Sequence, residues 1–136
     1  VVHVLVFDAC DRLLLQKRSP KKTVAPGKWD TSVGGHVDCG EPVESAMHRE
    51  MAEELGIRGA APEFAYQYIH ANDFESELVY TYTCRFNGEI CFNPGEIDSV
   101  AFWAIPEISA NLGKGLFSDN FEHEFVLYRK WAERSG

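Results

Sequence analysis

The chain has 136 residues and a mass of 15.3 kDa, enough for one domain and too little for two ordinary ones. Hydrophobic residues make up 45% and charged residues 25%, which excludes a disordered or fibrous chain, and no apolar run approaches the ~20 residues of a membrane-spanning helix. The 13 Lys and Arg against 21 Asp and Glu give a net charge of −8, so sequence-specific nucleic acid and a membrane are not expected partners.

Residues 2–7 and 13–16 are apolar runs joined by Asp8-Ala9-Cys10-Asp11, which predicts a hairpin. Residues 17–28 form a basic loop broken by Pro20 and by Pro26-Gly27. A short strand is expected at 29–33, ending on Gly34-Gly35. Helix formers fill 42–55, with Pro42 suited to the first turn and Gly56 to the stop. Strands are predicted near 64–70, 78–86, 89–92 and 99–105, and a helical turn at 106–110. A closing helix over 121–133 carries Phe121, Phe125, Tyr128 and Trp131 on one side. This order predicts one α/β domain over 1–136 with a mixed sheet. Val1 is not a methionine, so the natural N-terminus is expected to be missing.

Cys10, Cys39, Cys84 and Cys91 show no CxxC spacing, which argues against zinc. Asn87-Gly88 reads as a two-residue hairpin turn that sets Cys84 opposite Cys91 in the more widely spaced kind of pair. A disulfide is not favoured there, and the reading is of free thiols in a reducing cytoplasm.

Charge is unevenly spread. Arg12, Lys17, Arg18, Lys21, Lys22 and Lys28 fall between Asp11 and Asp30 with no acid among them, whereas acids crowd residues 41–54. On charge alone these are two solvated faces of opposite sign; phosphate and a divalent cation are the ligands that would suit them. Within the helix, Glu50, Glu53 and Glu54 stand at i, i+3 and i+4, inside an arc of roughly 100°. Three like charges so close repel, and the second half of a helix disfavours anions. A bound cation relieves both, and carboxylate-rich oxygen ligation suits Mg²⁺ or Mn²⁺. Arg49 lies four residues before Glu53 and is placed to hold it, while Met47, Met51 and Leu55 form the stripe that anchors the helix.

The segment from Gly35 to Ile57 resembles the Nudix box, G-x5-E-x7-R-E-U-x-E-E-x-G-U, with Gly35, Glu41, Arg49, Glu50, Met51, Glu53, Glu54, Gly56 and Ile57 at its specified positions. The resemblance implies the Nudix fold, a mixed β-sheet sandwiched between helices, and Mg²⁺-dependent hydrolysis of a diphosphate linkage in a small molecule of the nucleoside diphosphate-X type. It further implies Glu53 and Glu54 as metal ligands, Glu50 as a further ligand or the general base, the Gly34 carbonyl as a ligand, and Arg49 as the residue that orients Glu53. A late-loop carboxylate often joins this set in the family; Glu96 fits that place, with Asp98 and Glu77 behind it.

A second resemblance runs through Lys17-Arg18-Ser19, Lys21-Lys22, Pro26-Gly27-Lys28-Trp29 and Ser32-Val33-Gly34-Gly35-His36, which look like isopentenyl diphosphate isomerase, a Nudix-fold relative. The isomerase has a catalytic cysteine where this chain has Gly34 and a metal-binding histidine where it has His36. Without that cysteine the alkene lacks one partner in proton transfer, so the reading favours a hydrolase in an isomerase-like branch. Lys17, Arg18 and Lys28 then become candidates to grip the diphosphate. An isomerase-like enzyme and a non-catalytic nucleotide-sensing module stand as alternatives, and a homodimer rests on fold analogy alone.

Trp29, Trp103 and Trp131 are assigned to the core, and Phe74, Phe117 and His70 are weaker candidates for the cleft. Glu122-His123-Glu124 is read as structural, because neighbours on a helix point apart. No second motif names the substrate.

Overall fold

The computed structural model describes residues 1–135. The strands are β1 (Val2–Phe7), β2 (Leu13–Arg18), β3 (Trp29–Asp30), β4 (Val33–Gly35), β5 (Glu63–Ala71), β6 (Ser76–Arg85) and β7 (Ile97–Trp103). The helices are α1 (Val43–Leu55), α2 (Ile105–Ala110) and α3 (Asp119–Ser135). The strands run in the order β3-β2-β1-β6-β5, with β4 also on β1 and β7 also on β2. β1 lies parallel to β6, from Val2 opposite Tyr80 to Phe7 opposite Arg85, and antiparallel to β2 and β4. The sheet is therefore mixed, as expected.

β1 is buried along its whole length, and its alternation divides the core. Val2, Val4 and Val6 face one way and pack with Leu14, Val33, Met47, Met51 and Leu55. Leu5 and Phe7 face the other way and pack with Leu13, Leu15, Ile108, Phe117, Phe121 and Phe125. Thus α1 covers one face and α2 with α3 the other.

Pro42 caps α1 from an extended backbone, and Gly56 ends it with a left-handed φ of 66°. At that stop a Cβ would lie 3.0 Å from the Cys91 carbonyl oxygen, so the turn needs glycine for space as well as for φ.

Two expectations fail nearby. Residues 89–92 form no strand: the Cys91 N–H donates to the Leu55 carbonyl at 3.0 Å and the Asn93 N–H to that of Glu54 at 3.1 Å. The segment satisfies orphan carbonyls at the end of α1 instead of pairing in the sheet. Asn87 makes no hairpin with it; its Oδ1 accepts from the Ala9 N–H. Cys84 therefore sits opposite Val6 across β6 and β1, not opposite Cys91, and all four cysteines are free thiols.

The strand expected at 29–33 is split into β3 and β4. Between them Ser32 is fully buried; its Oγ accepts from the Val6 N–H at 3.0 Å and donates to the Leu14 carbonyl. That side chain stitches β1 to β2 where the backbone leaves the ladder.

Candidate active site

A cleft of about 440 Å³ opens at the ends of β1, β2 and β4 and the side of α1, and it gathers residues from both halves of the fold. Glu50, Glu53, Glu54, Gly34 and Gly35 line it from the box side.

Glu50 and Glu54 are both partly buried. Glu54 Oε1 accepts from Gln16 Nε2 at 2.9 Å, with the Gly34 N–H at 3.5 Å, while its Oε2 is buried with no partner. Burial first, then the neighbouring Glu50, push its carboxyl up to about 9. Glu50 lies against Gly35 so closely that a Cβ there would overlap its carboxyl group. Glu53 is more open, its side chain 59% exposed. Among the described residues no three His, Cys, Asp or Glu side chains are already drawn together as a metal site. The donor set is nonetheless all oxygen, and a cation against the buried, unpartnered Glu54 Oε2 would restore the charge that burial and Glu50 suppress, so the residues fit a hard divalent cation.

Arg49 ties this cluster together. Its Nε and Nη2 donate to the two oxygens of Glu41, both at 2.9 Å, and Nη1 donates to Glu50 at 2.7 Å. Nη2 also donates to the His36 carbonyl at 3.0 Å. The Glu53 contact foreseen from spacing is the longest of these at 3.4 Å. The principal partner is Glu41, because a carboxylate that meets the guanidinium edge-on takes two bonds at once. Those bonds, followed by one from the Asp38 N–H, bring the Glu41 carboxyl down to about 2.

The basic residues separate. Arg18 lines the cleft, and so does Lys22, whose ammonium pairs with Glu96. Lys17 and Lys28 lie outside the cleft. Alternation along β2 sends Gln16 and Arg18 to one side and Lys17 to the other, and Lys28 belongs to the backbone turn that bonds back to Arg18. Arg18 is steadied by the Val24 carbonyl at 2.9 Å and Asp30 at 3.3 Å. Glu96 lines the cleft, and the Lys22 ammonium holds its carboxyl below the usual range. Glu77 and His36 line it too, 3.6 Å apart, whereas Asp98 does not.

The sequence did not disclose the wall built on α3. Glu124 is completely buried, and its carboxylate accepts from His3 Nδ1 at 2.8 Å, from Tyr68 Oη at 3.0 Å, from Tyr66 Oη, and from Thr81 Oγ1 at 3.2 Å. Burial pushes that carboxyl up, but the hydrogen bonds from His3 and the two tyrosines outweigh it and leave it below its ordinary value. Burial and the same negative charge drive both tyrosine hydroxyls up, so they stay protonated donors. His3, Tyr68 and His70 line the cleft, and His70 Nδ1 meets His123 Nδ1 at 2.8 Å. No local spacing joins His3 to Glu124.

A sheet between helices with a glycine loop feeding an acidic helix is the arrangement of the Nudix class. The NUDIX domain model matches residues 1–125, and the chain belongs to that family. An uncharacterized Nudix hydrolase from Yersinia pestis is 32% identical over 105 residues, covering 77% of this chain and 57% of that protein. An isopentenyl-diphosphate Delta-isomerase from Paenarthrobacter aurescens is 33% identical over 125 residues, covering 88% of this chain and 63% of that protein. The chain thus spans less than two-thirds of either relative. The fold matches the MutT protein from Methanosarcina mazei with a TM-score of 0.80 at 21% identity, over 98% of this chain and 92% of that one. It also matches the Nudix domain of Shewanella oneidensis NrtR complexed with ADP ribose, with a TM-score of 0.75 at 18% identity, over 95% of this chain and 84% of that one.

Proposed function

We propose that the chain is a Mg²⁺-dependent diphosphohydrolase that cleaves a small diphosphate of the nucleoside diphosphate-X type. The observation that carries this reading is the buried, unpartnered Glu54 Oε2 beside Glu50 and Gly34 in a cleft that also holds Arg18 and Lys22. Hydrolases of the family generally work with a divalent cation. Bound there, Mg²⁺ or Mn²⁺ supplies neutralisation of the diphosphate and a more acidic water.

In this reading Glu53, Glu54 and the Gly34 carbonyl would hold the cation, with Glu96, here paired with Lys22, as a further candidate ligand. Glu50 takes a proton from the attacking water. The water oxygen forms a new bond to phosphorus, the bridging P–O bond breaks, and its electron pair leaves on the departing phosphate. Arg49 keeps Glu50 from turning away, and Arg18 and Lys22 grip the phosphate oxygens. An isomerase-like reaction is disfavoured because Gly34 stands where the isomerase has its cysteine, which leaves no thiol in that position.

The test is release of phosphate or phosphorylated products from nucleoside triphosphates, nucleotide sugars, ADP-ribose, dinucleotides and isopentenyl diphosphate, with Mg²⁺, with Mn²⁺ and with chelator. Metal-dependent release that Glu53→Gln abolishes supports the hydrolase. Interconversion of prenyl diphosphates without release would move the assignment to an isomerase, and metal-dependent binding without turnover would move it to a sensor.

A further inference from the structure

We propose that Gln16 is a positioning residue that makes Glu54 a one-oxygen ligand and thereby selects Mg²⁺ over Ca²⁺ at the acidic site. The proposal rests on the hydrolase reading of the cleft and adds to it how the site chooses its cation.

Gln16 is held from several sides. It lies on β2 between Asp30 of β3 and Val100 of β7, and only 7% of it is exposed. Its Nε2 donates to the Ser32 carbonyl at 3.0 Å and to Glu54 Oε1 at 2.9 Å. Both partners are acceptors, so it is the amide nitrogen, with its two hydrogens, that faces them. Ser32 is itself fixed, because it is fully buried and its hydroxyl joins the Val6 N–H to the Leu14 carbonyl. A continuous bracket therefore runs from β1 through Ser32 and Gln16 to the carboxylate of Glu54.

The bracket treats the two oxygens of Glu54 differently. Oε1 meets Gln16 and, at 3.5 Å, the Gly34 N–H. Two donors occupy the two lone pairs of one carboxylate oxygen. Oε2 is buried and takes no hydrogen bond among the described residues. The side chain thus offers a cation one oxygen and withholds the other. Arg49 engages Glu50 in a similar way, donating to its Oε1 at 2.7 Å.

That division discriminates between hard cations. Mg²⁺ is small and demands near-ideal octahedral geometry, which separate single oxygens supply. Ca²⁺ is larger, takes roughly 6–8 oxygens and often claims both oxygens of one carboxylate. A carboxylate with one oxygen already committed meets the first demand and fails the second. Gln16 acts through Glu54 and touches no reacting atom in this reading.

The experiment is thermal melting of the whole chain over a range of MgCl₂ and of CaCl₂ concentrations, without substrate, which yields an affinity for each ion. Gln16→Met removes both N–H donors and keeps the length of the side chain. It should weaken Mg²⁺ about tenfold, on the scale of losing a group that orients a metal ligand, and leave Ca²⁺ unchanged or tighter. The ratio of Mg²⁺ to Ca²⁺ affinity should therefore fall by about tenfold or more. Gln16→Asn draws the amide back by one methylene and keeps a polar group on the strand. It should move the ratio the same way, and it carries the test if the Met variant does not fold. In turnover assays Ca²⁺ should compete with Mg²⁺ more strongly in both variants than in the unaltered protein.

Equal weakening of both ions would make Gln16 a merely structural residue and overturn the proposal. An unchanged or raised ratio would overturn it as well. Either result leaves the hydrolase reading in place, because the unaltered chain still binds Mg²⁺. If the unaltered chain responds to neither ion, the cation site falls and the proposal falls with it.

Discussion

Arg49 and Glu41 are joined by two parallel hydrogen bonds of 2.9 Å, which fasten the middle of α1 to the loop that leads into it. The same guanidinium then reaches Glu50, so one side chain sets both the loop and an acid of the cleft.

This pairing predicts a signature in acid. The Glu41 carboxyl falls from its ordinary 4.5 to about 2 in the folded chain. A depressed folded value stabilises the protein fully above the unfolded value, and that contribution disappears as pH falls from about 4.5 towards 2. Glu41→Gln never has it. Thermal melts should show the variant less stable near pH 6, with the gap to the unaltered protein closing by pH 2. A gap that stays constant with pH would show that the pair contributes no charge-dependent stability.

Gly35→Ala should damage the site without damaging the fold. Gly35 needs no left-handed φ, yet a methyl there would overlap the Glu50 carboxyl group. Glu50 must swing away, and hydrolysis should fall by about 100-fold, the scale for losing one group matched to a transition state. The melting temperature should shift by only a few degrees. An active Gly35→Ala enzyme would mean that the observed position of Glu50 is not the working one.

Mg²⁺ should raise the melting temperature of the unaltered chain, because a cation that binds only the native state contributes about 2.7 kcal/mol at 100 times its dissociation constant. Glu53→Gln should weaken that response and cut turnover by about 100-fold or more, while melting cooperatively without metal. Equal loss of activity and of folded structure would make Glu53 a structural residue.

The basic residues should separate in kinetics as they do in space. Arg18→Ala should raise KM for the diphosphate about tenfold, in line with loss of a charged hydrogen bond. Lys17→Ala and Lys28→Ala should leave it within about twofold, since both lie outside the cleft. A large effect at Lys17 or Lys28 would return them to the grip assigned from sequence.

Phe121 is fully buried between Phe117 and Phe125, at centroid distances of 5.4 and 5.8 Å. Phe121→Ala should cost about 3–5 kcal/mol in urea unfolding. A cost below 1 kcal/mol would mean that α3 is not held by this stack.

What could be read from the sequence was what repeats at short range. The spacing of Glu50, Glu53 and Glu54, the stripe of Met47, Met51 and Leu55, and the Gly56 stop are all local, and α1 follows from them. The alternating Ile90 and Phe92 looked like a strand, yet their neighbours' amides are spent on the carbonyls of α1, a competition that no window of a few residues contains. Lys17, Arg18 and Lys28 were indistinguishable by charge, and only the pleat of β2 separates the first two. His3 and Glu124 are 121 positions apart; each alone is a histidine in a strand or an acid in a helix, and their meaning arises only where the sheet brings them together.

The division of the core by β1 limits how the chain can change length. Val2, Val4 and Val6 serve α1, and Leu5 and Phe7 serve α3. Adding or deleting one residue within this strand would exchange the two sets and turn His3's successor towards the wrong helix. Indels should therefore be forbidden in β1 and confined to surface connections such as residues 19–28, so that natural variation in size accumulates around the cleft mouth while its floor keeps a fixed count.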